Sequence, residues 1–298
     1  MSSVLSDRDQ SAGGDSGSGD GAIPRRPLGR TGYSPTLFAL GGEGVLRTFG
    51  REREAAAVIH RALDLGVNYC DTAPAYAGSI DYYGASLGER RDEIFLASKT
   101  HDRTRDGSLR LLDDSLKRLR TDHLDLWQLH DLRTPDDLRR IFSKGGALEA
   151  LIQARAEGRV RFLGITGHQD PAILLDAMDR FDFDTVLMAL NAADVHRLSF
   201  AQTVLVEASR RGMGVIGMKV YAAGILIRAG LSAADAMRYV LGLPGVSTVI
   251  IGCSTPEEVE ENARIARELT PFDEAERLHL ESRTRAHAHH FTSYKRPD

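Results

Sequence analysis

Eight times along the chain a short apolar run gives way to an amphipathic segment, and this repetition constrains the fold more than any single motif. The runs end at Leu40, Asp71, Lys99, His130, Thr166, Leu190, Lys219 and Gly252, so successive ends lie 24 to 36 residues apart. Between them the apolar spacing is helical. In Arg53–Leu65, Ala56, Ile59, Ala62 and Leu65 recur every third residue, and Gly66 stops the segment. Further helices are expected near Tyr83–Arg91, Ser108–Leu119, Leu148–Glu157, Ala172–Asp179, Phe200–Arg210, Ala233–Leu241 and Pro256–Arg267. Strands separated by helices run parallel, because each helix carries the chain back to its starting edge. Eight such units in about 250 residues describe an α/β protein whose sheet closes as a (β/α)8 TIM barrel. The competing arrangement is an open doubly wound sheet. That fold carries G-x-G-x-x-G after its first strand, and Gly41-Gly42-Glu43-Gly44 does not match.

The repeats divide the 298 residues into three parts. Residues 1–22, rich in Ser, Gly and Asp, have almost nothing to bury and are expected to be a disordered tail. Residues 23–285 are expected to hold the barrel. It opens with a short hairpin (Arg26–Leu28 and Ser34–Leu40 about the turn Gly29-Arg30-Thr31-Gly32) and ends with an extra helix over Phe272–Ser282. Residues 286–298 form a C-terminal tail. The net charge of −4 gives no drive toward nucleic acid or an anionic membrane, partners that call for a basic excess. No apolar run approaches the roughly 20 residues that span a bilayer. The N-terminus shows no basic segment followed by an apolar core, and Cys70 and Cys253 are the two cysteines; both features predict a cytoplasmic protein.

In such a barrel, chemistry gathers at the C-terminal ends of the strands. Three successive strand ends carry Asp71, Lys99 and His130, and Tyr76 follows Asp71 by five residues. Each has an ordinary structural role open to it: a turn cap, an ion-pair partner, a satisfied core imidazole, loop packing. Together they fit one mechanism. A phenol, with a pKa of roughly 10, is a poor acid at neutral pH. A nearby ammonium favours the phenolate, and a carboxylate holds that ammonium charged and placed. A neutral imidazole donates a hydrogen bond to a carbonyl oxygen. The set suits protonation of an oxygen as hydride reaches the adjoining carbon.

With these residues in NYCDTAPAY, FLASKT and LDLWQLHDL, the chain resembles the aldo-keto reductase superfamily from about Leu28 to Asn262. The resemblance implies the barrel, a small carbonyl substrate, and reversible reduction of aldehydes or ketones with NADP or NAD. It makes Tyr76 the general acid, has Lys99 and Asp71 tune it, and has His130 orient the carbonyl. On the cofactor side it implies contacts from Gly42, Thr166, Met218, Lys219, Cys253, Ser254, Glu258, Glu261 and Asn262.

The sequence departs from the family at that side. Family members carry a Ser-Asn pair after the fifth strand and a Gln in the sixth, to hold the nicotinamide carboxamide. Here Thr166-Gly167 and Leu187 stand there, and Met218 replaces the aromatic that stacks on the ring. Lys219 is placed either to approach the pyrophosphate or simply to be solvated. In IIGCSTPEEVEENAR, Gly252 and Glu258 occupy positions where NADPH-specific members carry basic residues, whereas Glu261 and Asn262 match the adenine side. Carboxylates at a helix start oppose a 2′-phosphate, so a weak NADPH preference is expected. Thr255-Pro256-Glu257-Glu258 is equally a capping signal. No metal site is expected: His287, His289 and His290 lie in the tail without a ligand pattern. Trp127, of opposite parity to His130, is expected between barrel and helices. Two other functions stay open: a catalytically weak nicotinamide-binding regulatory or redox-sensing module, and a Schiff-base lyase using Lys99.

Overall fold

All eight strands pair in parallel and in chain order, and the last closes on the first. In this computed structural model, which describes residues 21–297, the strands are β1 (Phe38–Gly44), β2 (Tyr69–Asp71), β3 (Phe95–Thr100), β4 (Leu124–Leu129), β5 (Val160–Gly167), β6 (Thr185–Ala189), β7 (Gly214–Met218) and β8 (Val246–Cys253). Closure is made by Leu40 opposite Ile251, next to Leu40 opposite Cys70. The expected (β/α)8 TIM barrel is the fold. The tail expected over 1–22 lies, apart from its last two residues, outside the described residues.

Alternation along each strand sorts the side chains into two compartments. Ala39, Tyr69, Phe95, Ala97, Leu126, Leu187 and Ile216 fill the barrel interior. Their neighbours of opposite parity, Trp127 among them, face the helices and belong to the larger outer core. The N-terminal hairpin shrinks to one antiparallel bridge, Arg25 with Thr36, around a 3-10 turn at Gly29–Thr31. It seals the bottom of the barrel, with Leu28 fully buried in the interior cluster.

The outer helices follow local signals. Helix α1 (Glu52–Asp64) buries Ala55, Val58, Ile59, Ala62 and Leu63, and stops before Gly66 at φ +82°. Helix α2 runs over Ser79–Ser86, earlier than the expected Tyr83–Arg91. The left-handed Gly88 ends that segment and passes it to a 3-10 turn over Gly88–Glu93. Helices α3 (Arg105–Leu119), α5 (Ala147–Ala156), α6 (Pro171–Arg180), α9 (Ala233–Gly242) and α10 (Pro256–Arg267) lie within a few residues of expectation. Between α3 and α5 lies an unexpected helix, α4 (Pro135–Ile141), closed by a capping box between Thr134 and Asp137. Helix α7 (Val204–Arg210) starts later than Phe200, because the Asp194 carboxylate takes the N–H groups of Phe200 and Ala201 and holds them in a turn. A short α8 (Ile225–Arg228) follows β7.

The C-terminal segment differs most from the tail expected over 286–298. After α11 (Glu274–Arg285) the chain forms a short α12 (Ala288–Phe291) and lies against the loops that follow β5 and β6. The Lys295 ammonium is fully buried 2.5 Å from Asp194, and accepting carbonyls of Arg197 and Leu198 complete its shell. Burial pulls that ammonium below the usual lysine range, and the Asp194 carboxylate opposes the shift. Removing one member of such a pair leaves a buried charge uncompensated. Lys295→Met is therefore expected to cost about 3 kcal/mol of folding stability in a urea titration. An unchanged midpoint would show that the tail contributes nothing to the fold.

Candidate active site

The site grows out of strand parity. Tyr69 points into the barrel, so Asp71, two residues on, points inward at the top of β2; Ala97 and Lys99 repeat this on β3, and Leu126 and Gln128 on β4. Asp71 and Lys99 are both essentially unexposed and form a direct ion pair. The Lys99 Nζ also donates to the Thr72 carbonyl at 2.9 Å, and Gln128 Nε2 donates to the other Asp71 oxygen at 3.3 Å. Burial pushes the Asp71 carboxyl up and Lys99 opposes it; for Lys99 the pull of burial is outweighed by Asp71 and Tyr76, so its pKa ends above the usual lysine value. Each favours the charged form of the other.

Tyr76 is delivered by the turn after β2. Its N–H bonds to the Ala73 carbonyl, its carbonyl accepts from Ser79 N, and Thr72 Oγ1 donates to Ser79 Oγ at 2.8 Å. The ring lies 4.8 Å from Lys99 Nζ and 5.2 Å from the Arg47 guanidinium, which is itself paired with Glu43 at 2.7 Å. Gly42 is the floor on which this ring rests. A Cβ there would stand 2.8 Å from Tyr76 Cδ2 and from Ser79 Oγ. Burial outweighs Lys99, so the Tyr76 hydroxyl is pushed above its ordinary pKa, not below it as the ammonium alone would dictate. The phenol rests protonated.

His130 follows β4 and meets the Tyr76 ring edge-on, with centroids 5.6 Å apart at 84°. Its N–H bonds to the Thr100 carbonyl. Burial, then the charges of Lys99, His101 and Arg103, hold the imidazole down to about 2, so it is neutral. Asp131, next in the chain, adopts φ +53°, a left-handed conformation uncommon for a residue with a side chain. Its N–H donates to Thr166 Oγ1 at 2.7 Å, and its carboxylate pairs with Arg133 and lies 3.3 Å from His168.

Farther round the rim, Met218 ends β7 and Lys219 follows at φ +57°. The Lys219 ammonium sits 5.2 Å from the Tyr294 ring, which meets His168 edge-on and whose hydroxyl accepts from Asn191 Nδ2 at 2.8 Å. Leu187 is buried in the barrel interior. At β8 and α10, Cys253 and Asn262 spend their polar atoms inward: Asn262 Nδ2 donates to Cys253 Sγ, and Tyr221 Oη donates to Asn262 Oδ1 at 2.7 Å. The Glu258 carboxylate accepts from Ser254 N at 2.6 Å, and Glu261 is held on the surface by Arg264. Asp71, Tyr76, Lys99 and His130 thus share one cluster, with Gly42 beneath Tyr76 and Thr166 reached through Asp131. Gln128 was overlooked in the sequence although its parity with His130 was legible. Tyr294 and Lys295 carried no signal there.

The Aldo/keto reductase family model matches residues 38–237. The chain belongs to the aldo/keto reductase family. This reductase-family chain is 27% identical to an L-galactose dehydrogenase from Arabidopsis thaliana over 83% of its own length and 89% of that protein. It is 26% identical to a pyridoxal 4-dehydrogenase from Microbacterium luteolum, covering 81% of this chain and 92% of that one. Among solved structures, the holo form of an aldo-keto reductase from Bacillus halodurans superposes with a TM-score of 0.74 at 25% identity, covering 88% and 96% of the two chains.

The His130 assignment is open to direct measurement. In the folded protein its imidazole is expected to stay neutral from pH 8 to 4 by NMR titration, with protonation only near its depressed value of about 2. The unfolded chain takes up that proton near 6.5, so acidification below pH 6.5 destabilises the fold through this residue. A titration of the ring between pH 5 and 7 would contradict this.

Proposed function

We propose that this aldo/keto reductase interconverts a small aldehyde or ketone and its alcohol, using a nicotinamide cofactor and Tyr76 as general acid. One observation carries the reading. A buried ammonium, Lys99, held by Asp71, lies 4.8 Å from the Tyr76 ring, and the neutral His130 meets that ring edge-on. As the Tyr76 proton leaves toward a carbonyl oxygen, the growing phenolate charge is stabilised by Lys99 where it forms. Asp71, with Gln128 on its second oxygen, keeps that ammonium charged and in place. His130 donates a ring N–H to the same carbonyl oxygen and fixes its direction. A reduced nicotinamide, when bound, supplies the hydride to the carbonyl carbon. In the reverse direction the Tyr76 phenolate takes the proton of the alcohol; two relatives named as dehydrogenases, of L-galactose and of pyridoxal, favour reading the site in both directions.

The residues on the far rim fit such a cofactor. Thr166 Oγ1 is used as an acceptor by Asp131 N, which leaves its hydrogen for a carboxamide oxygen. Met218 offers a polarizable sulfur to a ring face. Lys219, a partly buried ammonium whose described neighbours include no ion-pair partner, suits the pyrophosphate. Gly42 supports the Tyr76 ring, and Ser254 and Glu261 mark the adenosine end, with Cys253 and Asn262 hydrogen-bonded to each other beneath it. The start of α10 is where a 2′-phosphate would meet free N–H groups. Glu258 already takes the Ser254 N–H there, so NADH is read as serving at least as well as NADPH. One observation favours a weaker, binding-only role: Gly167 and the buried Leu187 supply no amide to hold a carboxamide. Turnover across a panel of carbonyl compounds, assayed with both cofactors, separates that role from catalysis.

Tyr76→Phe removes only the hydroxyl. Carbonyl reduction is expected to fall by about 10²- to 10⁴-fold while fluorescence titration finds cofactor binding intact; unaltered turnover would rule out the mechanism. For the cofactor, NADH is expected to bind no more weakly than NADPH, and Glu258→Arg to shift the balance toward NADPH by about tenfold. Wild-type binding of NADPH about 100-fold tighter than NADH would overturn the assignment.

A further inference from the structure

The His130 imidazole packs edge-on against Tyr76 but makes no hydrogen bond to any of the described residues, so the backbone beneath it carries the polar contacts that set its direction. Its N–H is tied to the Thr100 carbonyl. Its carbonyl accepts from Arg103 Nη1 at 2.9 Å, and the next carbonyl, of Asp131, accepts from Arg103 Nη2 at 3.0 Å. Between these two carbonyls the chain takes the left-handed turn at Asp131. Nε of the same guanidinium donates to Asp137 Oδ1 at 2.8 Å, and the other Asp137 oxygen closes the capping box of α4. Arg103 is itself placed by its carbonyl, which accepts from Ala147 N at the start of α5, and its side chain is nearly buried.

We propose that Arg103 is a positioning residue for the catalytic imidazole: its planar fork grips the His130 and Asp131 carbonyls and aims the His130 ring at the substrate oxygen. A planar guanidinium can hold two consecutive carbonyls and a carboxylate at once, whereas an ammonium has no such fork. An uncommon backbone conformation persists only where its surroundings over-determine it, and this clamp does so at Asp131. The charge of Arg103 also adds to those that keep the imidazole neutral.

This inference rests on the reading of His130 given above. In the full-length protein, Arg103→Ala is expected to lower kcat by about 100-fold, the scale of a small misplacement of a reacting group, with KM for the aldehyde and Kd for NADH changed less than about threefold. Methylguanidinium added to the variant is expected to restore part of kcat, and ammonium at equal ionic strength is not. Arg139→Ala, at an exposed position on α4, is the control and should behave as wild type. If Arg103→Ala does not fold, Arg103→Lys keeps the charge and is expected to show the same selective kcat loss. Unchanged kcat in a folded variant overturns the proposal, and so does a loss shared equally by kcat, cofactor binding and Tm without rescue. NMR of the His130 ring gives a readout independent of turnover: its signals should shift in Arg103→Ala and not in Arg139→Ala. If the wild type reduces no carbonyl compound, the reading of the site fails, and those signals alone decide whether the clamp exists.

Discussion

The Asp71–Lys99 ion pair is the interaction on which the rest of the site depends. It sits at the top of a barrel interior filled with Tyr69, Phe95, Ala97 and Leu126, where neither charge reaches water. Desolvating two such charges is expensive, and their attraction repays it only when the geometry is good and the remaining hydrogen-bonding capacity is satisfied. Thr72 and Gln128 supply that satisfaction, one on the ammonium and one on the carboxylate. The pair therefore locks the ends of β2, β3 and β4 together. The same lock sets a cation beside Tyr76, and burial keeps the phenol protonated. Burial thus opposes ionisation of Tyr76, while Lys99 favours it.

A second fully buried pair, Asp194–Lys295, plays a structural part on the far side of the same rim. Asp194 also holds the Ser199–Ala201 turn, so one carboxylate anchors both the loop after β6 and the end of the chain. That anchoring places Tyr294 against Lys219, His168 and Asn191. Residues far apart in sequence thereby form one wall of the rim, within electrostatic reach of Arg47 and Glu43.

Much of the site is legible in the sequence. The period-2 alternation that sends Asp71, Lys99 and His130 to one face is a local property, and so is the Tyr76 spacing. The capping signals of α4 and α10 were equally local; α4 was overlooked because it is short and lies inside a loop. Other features were not local at all. The direction of the Tyr76 pKa shift depends on how much water the fold removes from the phenol, which no spacing reports. The inward turning of Asn262 toward Tyr221 and Cys253 depends on contacts across β7, β8 and α10.

The sequence by itself determined the barrel, its eight units and the identity of the four clustered residues, because strand period, helix period and turn residues act over a few positions. The tertiary structure alone decided the rest. It packed Gly42 beneath Tyr76, recruited Gln128 to Asp71, set Arg103 under the His130 turn, and folded a polar tail onto the rim through Lys295. Each of these joins elements whose meeting is fixed by barrel closure and by burial of charge, neither of which any short stretch of the chain encodes.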